Sequence, residues 1–197
     1  MKKCFCTLLC TLTLVTLLLT GCNSSFDPSV TSLYIQKDGT LISAVVESFE
    51  KDYYSFSEFE SMIKKEVDNH NNMFSEPAID IERLELEDDT LYLLLQFDNA
   101  DAYEQYSEEY CFLGTIDEAL DEGLPFDMLF KDAESTEFTT TDVTEKKDNH
   151  VVIVQSEGFI QLESTIKYVS NNVEIISEHM AEVMSMDDEE EYAYIIY

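Results

Sequence analysis

The chain has 197 residues, of which 42 are Asp or Glu and only 11 are Lys or Arg, for a formal net charge of -31. That balance argues against nucleic acid and against electrostatic docking on anionic lipid, because both need a Lys/Arg surplus. Hydrophobic residues at 45% and aromatics at 12% are globular values, which predict a packed core and not a disordered acidic tail.

Met1-Lys2-Lys3 is a short basic start, and residues 8–19 form an uncharged stretch rich in Leu and Thr. The stretch is shorter than the about 20 apolar residues of a transmembrane helix and fits the roughly 7–15 of a signal-peptide core. Leu19-Thr20-Gly21-Cys22 follows. An aliphatic residue, two small ones and a Cys resemble the lipobox of bacterial lipoproteins. The resemblance implies cleavage between Gly21 and Cys22, a diacylglyceryl group on the Cys22 thiol, and an acyl chain such as palmitate on the new amino group. Two or three acyl chains anchor stably where one alone is marginal. An ordinary secretory signal that leaves Cys22 free is the alternative. On the lipobox reading, residues 1–21 are a lipoprotein signal peptide, 22–31 a lipidated polar tether, and 32–197 a single extracytoplasmic domain.

Loss of residues 1–21 removes Lys2 and Lys3 but no acid, leaving 176 residues with 9 basic and 42 acidic side chains, a net charge of −33. Cys4, Cys6 and Cys10 leave with the signal and Cys22 carries lipid, so Cys111 remains alone and no intramolecular disulfide is expected. Stability then rests on the core, which at this size buries about 70% of the unfolded surface. The tether keeps the domain close to the bilayer. Repulsion from anionic lipid, decaying over about 8 Å, is expected to turn the most acidic face away from it.

Residues 32–37 and 41–49 are rich in β-branched and aromatic side chains, and Lys37-Asp38-Gly39-Thr40 between them predicts a hairpin. Ser57-Glu58-Phe59-Glu60 reads as a capping box that opens a helix over 58–71, with Phe59, Met62, Ile63 and Val67 on one face. Residues 79–87 alternate with one change of phase near Arg83, which predicts a bulge. Asp88-Asp89 turns the chain into a strongly apolar strand over 91–97, and Asp98 caps a short helix carrying Ala102, Tyr103 and Tyr106. The offset between the two turns points to a duplicated ββα unit. Thr115-Ile116-Asp117-Glu118 is a second capping box after a strand over 110–114, and Gly123 followed by Pro125 ends its helix. Strands are predicted over 135–141, 151–155, 159–170, 173–177, 180–186 and 192–197. The fold class is α+β: antiparallel hairpins with two or three helices in the first half and a strand-rich second half. The polar residues 142–149 form the one plausible seam.

Lys37-Asp38-Gly39, Tyr53-Tyr54, Gly114-Thr115 with Glu118-Ala119 and Gly123, residues 167–173, and the closing Ala193-Tyr194-Ile195-Ile196-Tyr197 are similar to segments of uncharacterised lipoproteins from clostridia-like Gram-positive bacteria. The resemblance implies a cell-surface lipoprotein and brings no catalytic motif or substrate with it.

Recognisable chemistry is sparse. His70, His150 and His179 occupy no zinc spacing. Cys111 lies between Tyr110 and Phe112, where burial makes a thiol inert, so it reads as a small core residue. G-x-S-x-G, G-x-G-x-x-G and the P-loop are absent. Paired carboxylates could serve an envelope hydrolase, which needs one of the two raised in pKa. The acidic runs 85–89 and 187–191 could bind a divalent cation, with Asp187, Asp188 and Glu189 the candidate ligands, though neither run matches a calcium loop. Tyr53, Tyr54, Tyr103, Tyr106, Tyr192 and Tyr194 could form a binding platform. The leading expectation is a non-enzymatic, membrane-anchored binding or structural component of the envelope, with no cofactor. Its partners are the bilayer, through acylated Cys22, and an envelope protein or polymer, not nucleic acid. A labelled fatty acid fed to producing cells should be incorporated into the wild-type chain and not into Cys22→Ala; equal labelling of both would refute lipidation at this residue.

Overall fold

Lys37-Asp38-Gly39 turns the chain between β1 (Ser32–Ile35) and β2 (Leu41–Ser48), an antiparallel pair in a computed structural model that describes residues 26–50, 55–73, 75–184 and 191–197. The signal peptide with Gly21 and Cys22, the pair Tyr53-Tyr54, and Asp187, Asp188 and Glu189 lie outside the described residues. Gly39 holds φ at +90°, a left-handed value that favours glycine, and Asp38 Oδ1 accepts from the N–H and hydroxyl of Thr40 at 3.1 and 2.7 Å.

β3 (Ile79–Glu87) and β4 (Thr90–Phe97) make a second hairpin around Asp88 and Asp89, at φ 45° and 62°. Two positive φ values in a two-residue loop match the twist of the flanking strands. The register slips between Ile81 and Arg83, so the bulge falls where the sequence changes phase. α1 (Phe56–Asn71) follows the first hairpin and α2 (Ala100–Ser107) the second. Their caps are Ser55 and Asn99, which accept from Glu58 N–H and Ala102 N–H; Ser57 and Asp98 do not cap. Ser55 also stands three residues before a Glu, and this earlier of two overlapping capping patterns starts the helix. Phe59, Ile63 and Val67, at i,i+4 spacing, form the inward stripe of α1, while Met62 is 54% exposed. Asn71 ends α1 by taking N–H bonds from Ala78 and Ile79 and donating to Ile79 O, which fixes the helix to the start of β3.

The remaining elements are β5 (Cys111–Thr115), α3 (Ile116–Asp121), β6 (Phe130–Lys131), β7 (Glu137–Phe138), α4 (Thr140–Thr144), β8 (His150–Val154), β9 (Gly158–Leu162), β10 (Tyr168–Ser170), β11 (Val173–Ser177), β12 (Met180–Val183) and β13 (Ala193–Ile196). The protein is a strand-rich α+β fold with two sheets. One has seven strands in the order β11-β12-β9-β1-β2-β4-β3, and the other six in the order β5-β8-β13-β10-β6-β7. β1 and β9 pair in parallel, which joins the first hairpin to the second half of the chain.

The sheets face each other over one core. Leu33, Ile35, Leu93, Leu95 and Phe97 of the first meet Val152, Val154, Val169 and Ile195 of the second, and Ile63, Val67, Ala102 and Tyr103 from α1 and α2 complete this cluster. The back of the second sheet is covered as well, with Val151, Ile153, Tyr194 and Ile196 packed under Ile116 and Ala119 of α3, Val143 of α4, and Phe126 and Phe130. β8 and β13 are therefore buried on both faces, which accounts for their unbroken apolar runs.

Two expected strands are replaced. Residues 135–141 give only the short β7 before α4, because Thr139 and Asp142 form a capping box and Val143 is fully buried; these contacts override the β preference of three consecutive Thr. The same helix enters the polar stretch 142–149, where Val143 is buried and the N–H groups of Asp117 and Ile116 donate to Lys147 O and Asn149 O. The run 159–170 divides into β9 and β10, which belong to different sheets, and residues 163–167 cross between them with Ile166 buried. Ile195→Ala, at a site with no exposure, should cost about 2–5 kcal/mol in denaturant unfolding. Ile176→Ala, at a residue 48% exposed, should stay within about 0.5 kcal/mol.

Candidate functional site

A polar concavity lies where β1 and β9 end and β8 and β10 begin. Lys37 follows β1, Ser164 and Thr165 sit on the crossing between the sheets, Lys167 precedes β10, His150 opens β8 and Tyr197 follows β13. Together they line a pocket of about 380 Å³. Each segment is held by backbone bonds: Glu163 N–H donates to Ile35 O at 3.0 Å, Ile166 N–H to Glu178 O at 2.8 Å, and Lys167 N–H to Ile196 O at 2.8 Å. His150 and Tyr197 exchange a reciprocal pair, at 3.2 and 2.9 Å, and their rings stack with centroids 5.6 Å apart. His179 braces the crossing, with Nδ1 3.0 Å from Ser164 O.

The pocket is cationic in a strongly anionic protein. Lys167 Nζ donates to Asn149 Oδ1 at 3.0 Å, a neutral partner that leaves its charge uncompensated. Lys37 Nζ lies 3.9 Å from Glu163 Oε1, a long pair with both side chains well exposed, so its charge is only partly offset. No carboxylate side chain lines the cavity. Lys146 and Lys147, on the 145–149 turn, are engaged elsewhere: Lys146 bonds the Tyr168 hydroxyl and Lys147 pairs with Asp117. Two ammonium groups, an imidazole, two hydroxyls and an aromatic wall suit a tetrahedral oxyanion, since lysine acts as a point charge that imposes no bidentate planar geometry.

The residues singled out from sequence do not converge. Cys111 is buried in the main core, where desolvation, with Glu104 and Glu109 nearby, pushes its thiol up and leaves it inert. The tyrosines form no platform among the described residues: Tyr103 is buried and donates to Glu109 at 2.6 Å, Tyr194 is buried and donates to Pro125 O, and Tyr106 packs on Phe97 and His70. Burial raises Tyr106 to about 12. Tyr192 is half-buried against Tyr110 beside a niche of about 420 Å³ that includes Pro125, Met128 and Leu129. His70 has a buried Nδ1 with no hydrogen-bond partner among the described residues.

Among the described residues no group of three or more His, Cys, Asp or Glu could hold a metal ion. Asp38, Glu118 and Asp142 have lowered pKa values because Thr40, Thr115 and Thr139 donate to them, the opposite of what a general acid needs. Acids are not cleared from the tether either: Asp27 and Glu47 bond Arg83 and Thr31, and Glu85 and Glu87 also surround Arg83. The pocket residues were missed because they come from separate segments and share no motif. The one sequence signal was scarcity, since a lysine in this composition is a rare event. No family model matches the chain, and no match is found among curated proteins or solved structures.

For the three lowered carboxylates the folded-state pKa lies below the unfolded one, so their contribution to stability is complete above the ordinary value, 3.8 for Asp142 and 4.5 for Glu118, and is lost as pH falls through the lowered one. Thr115→Ala and Thr139→Ala should therefore lower stability at pH 7 and flatten its decline in acid. Unfolding midpoints measured from pH 7 to pH 2 check this, and parallel curves for variant and parent would contradict it.

Proposed function

We propose that this protein is an extracytoplasmic lipoprotein, held on the outer face of the cell membrane by acylated Cys22, whose folded domain is a binding component of the envelope and not an enzyme. The observation that carries the reading is the junction between anchor and fold. Phe26 stacks on Tyr34 at 4.3 Å, only four residues after Cys22, and Pro28 is buried. Asp27 bonds Arg83 at 3.0 Å, and Arg83 lies 4.0 Å over the Tyr92 ring, so residues 26–30 are clamped on the outer face of the seven-stranded sheet over Ile42, Ala44 and Leu94. Four residues, 22–25 with Cys22 included, precede this clamp, and four extended residues span at most about 14 Å. A domain held this close to lipid suits a component that works at the membrane surface.

The two hairpins with their helices, β1–β2–α1 and β3–β4–α2, form one wall of the domain, and the second sheet closes it. The cationic pocket offers the clearest ligand chemistry on this body. Among the described residues the shifted carboxylates move down, which does not favour a carboxylate-pair hydrolase, and the candidate cation ligands Asp187, Asp188 and Glu189 lie outside those residues. Protease added to intact protoplasts should remove the domain while a cytoplasmic marker survives. Full protection of the domain would contradict the extracytoplasmic placement.

A further inference from the structure

The direction in which the chain leaves the domain bears on what the cationic pocket meets. Thr31 Oγ1 accepts from Val46 N–H at 2.9 Å, whereas Phe26 stacks on Tyr34, which is paired with Ile42. Traced backwards from Thr31, residues 30 to 26 therefore run antiparallel to β1, from the Val46 level to the Ile42 level, toward the turn at Lys37. Three strand residues separate Tyr34 from Lys37, about 10 Å. Cys22 adds at most about 14 Å. An acyl anchor on Cys22 is therefore within reach of the end of the domain that carries Lys37, His150 and Lys167.

We propose that this pocket seats the phosphate of an anionic glycerophospholipid headgroup in the bilayer that holds the anchor. The proposal rests on the lipoprotein reading and deepens it. The net charge of −33 left after loss of residues 1–21 repels an anionic surface as a whole, but that repulsion is screened over about 8 Å, so contact is decided by the groups at the contacting end. There Lys167 has only a neutral partner, Lys37 has a long one, and the hydroxyls of Ser164 and Thr165 line the same cavity. A headgroup phosphate would gain two ammonium contacts within reach of the anchor, and the acidic remainder of the molecule would be pushed outward. The two effects together orient the domain.

The test uses the full chain in nanodiscs of phosphatidylglycerol or of phosphatidylcholine, with amide exchange followed at residues 150 and 163–167. Inorganic phosphate is titrated separately against the full chain in neutral detergent. Phosphatidylglycerol should protect these amides and phosphatidylcholine should not, phosphate should shift them saturably, and the exposed-residue double variant K37Q/K167Q should weaken phosphate binding about tenfold or more while abolishing the protection. Equal exchange in the two nanodiscs, or a double variant that behaves like the parent, would overturn the proposal. Phosphate binding without any preference between the lipids would overturn the headgroup assignment. A chain that enters neither nanodisc would count against the anchor, which separates that failure from failure of the pocket.

Discussion

Everything in this fold is arranged around the β8–β13 pair, two adjacent strands from which water is excluded on both faces. Val152, Val154 and Ile195 face the seven-stranded sheet, while Val151, Ile153, Tyr194 and Ile196 face α3, α4 and Phe126. Hydrophobic transfer is worth about 25 cal/mol per Å² of apolar surface, so a doubly covered pair draws on two packing interfaces at once. In a chain whose only cysteine among the described residues is a buried free thiol, this burial takes the place of disulfides. The pair also sets the site. Where its ladder runs out, His150 and Tyr197 exchange their last two hydrogen bonds and turn their rings into the cationic pocket.

Charge follows a second logic. Most carboxylates are solvated at the surface, and the few with lowered pKa values are fixed by threonine at a turn or a helix start. Basic residues are scarce, so their positions stand out: Arg83 clamps the incoming chain, and Lys37 and Lys167 line one pocket. A global excess of acid is compatible with a local pair of lysines because screening makes electrostatics at a surface contact a matter of the nearest residues.

The local signals in the sequence were legible where chemistry and periodicity agreed. The Asp38-Gly39 turn, the phase change at Arg83, the Thr115–Glu118 capping box and the stop at Gly123 all rest on neighbours within a few residues. Where two local patterns overlapped, as at Ser55 and Ser57, the earlier cap starts the helix, and where a threonine run met a hidden capping box at Thr139, burial of Val143 goes with the helix. The crossing at residues 163–167 was invisible, because nothing in an alternating run says which sheet each half will join. The pocket was invisible for the same reason: Lys37 and Lys167 meet only through the parallel pairing of β1 with β9 and the start of β10 in the other sheet.

The orientation of the domain on its membrane is the central claim, and a depth measurement tests it most directly. Cys111 is buried, so single cysteines placed at exposed Glu178, on the pocket end, and at exposed Ser48, at the far end of β2, can be spin-labelled with the lipidated chain in an anionic bilayer. The account predicts that the label at 178 sits at headgroup level and the label at 48 about 25 Å further out, the length of β2. A label at 48 as close to the bilayer as the one at 178, or closer, would contradict it.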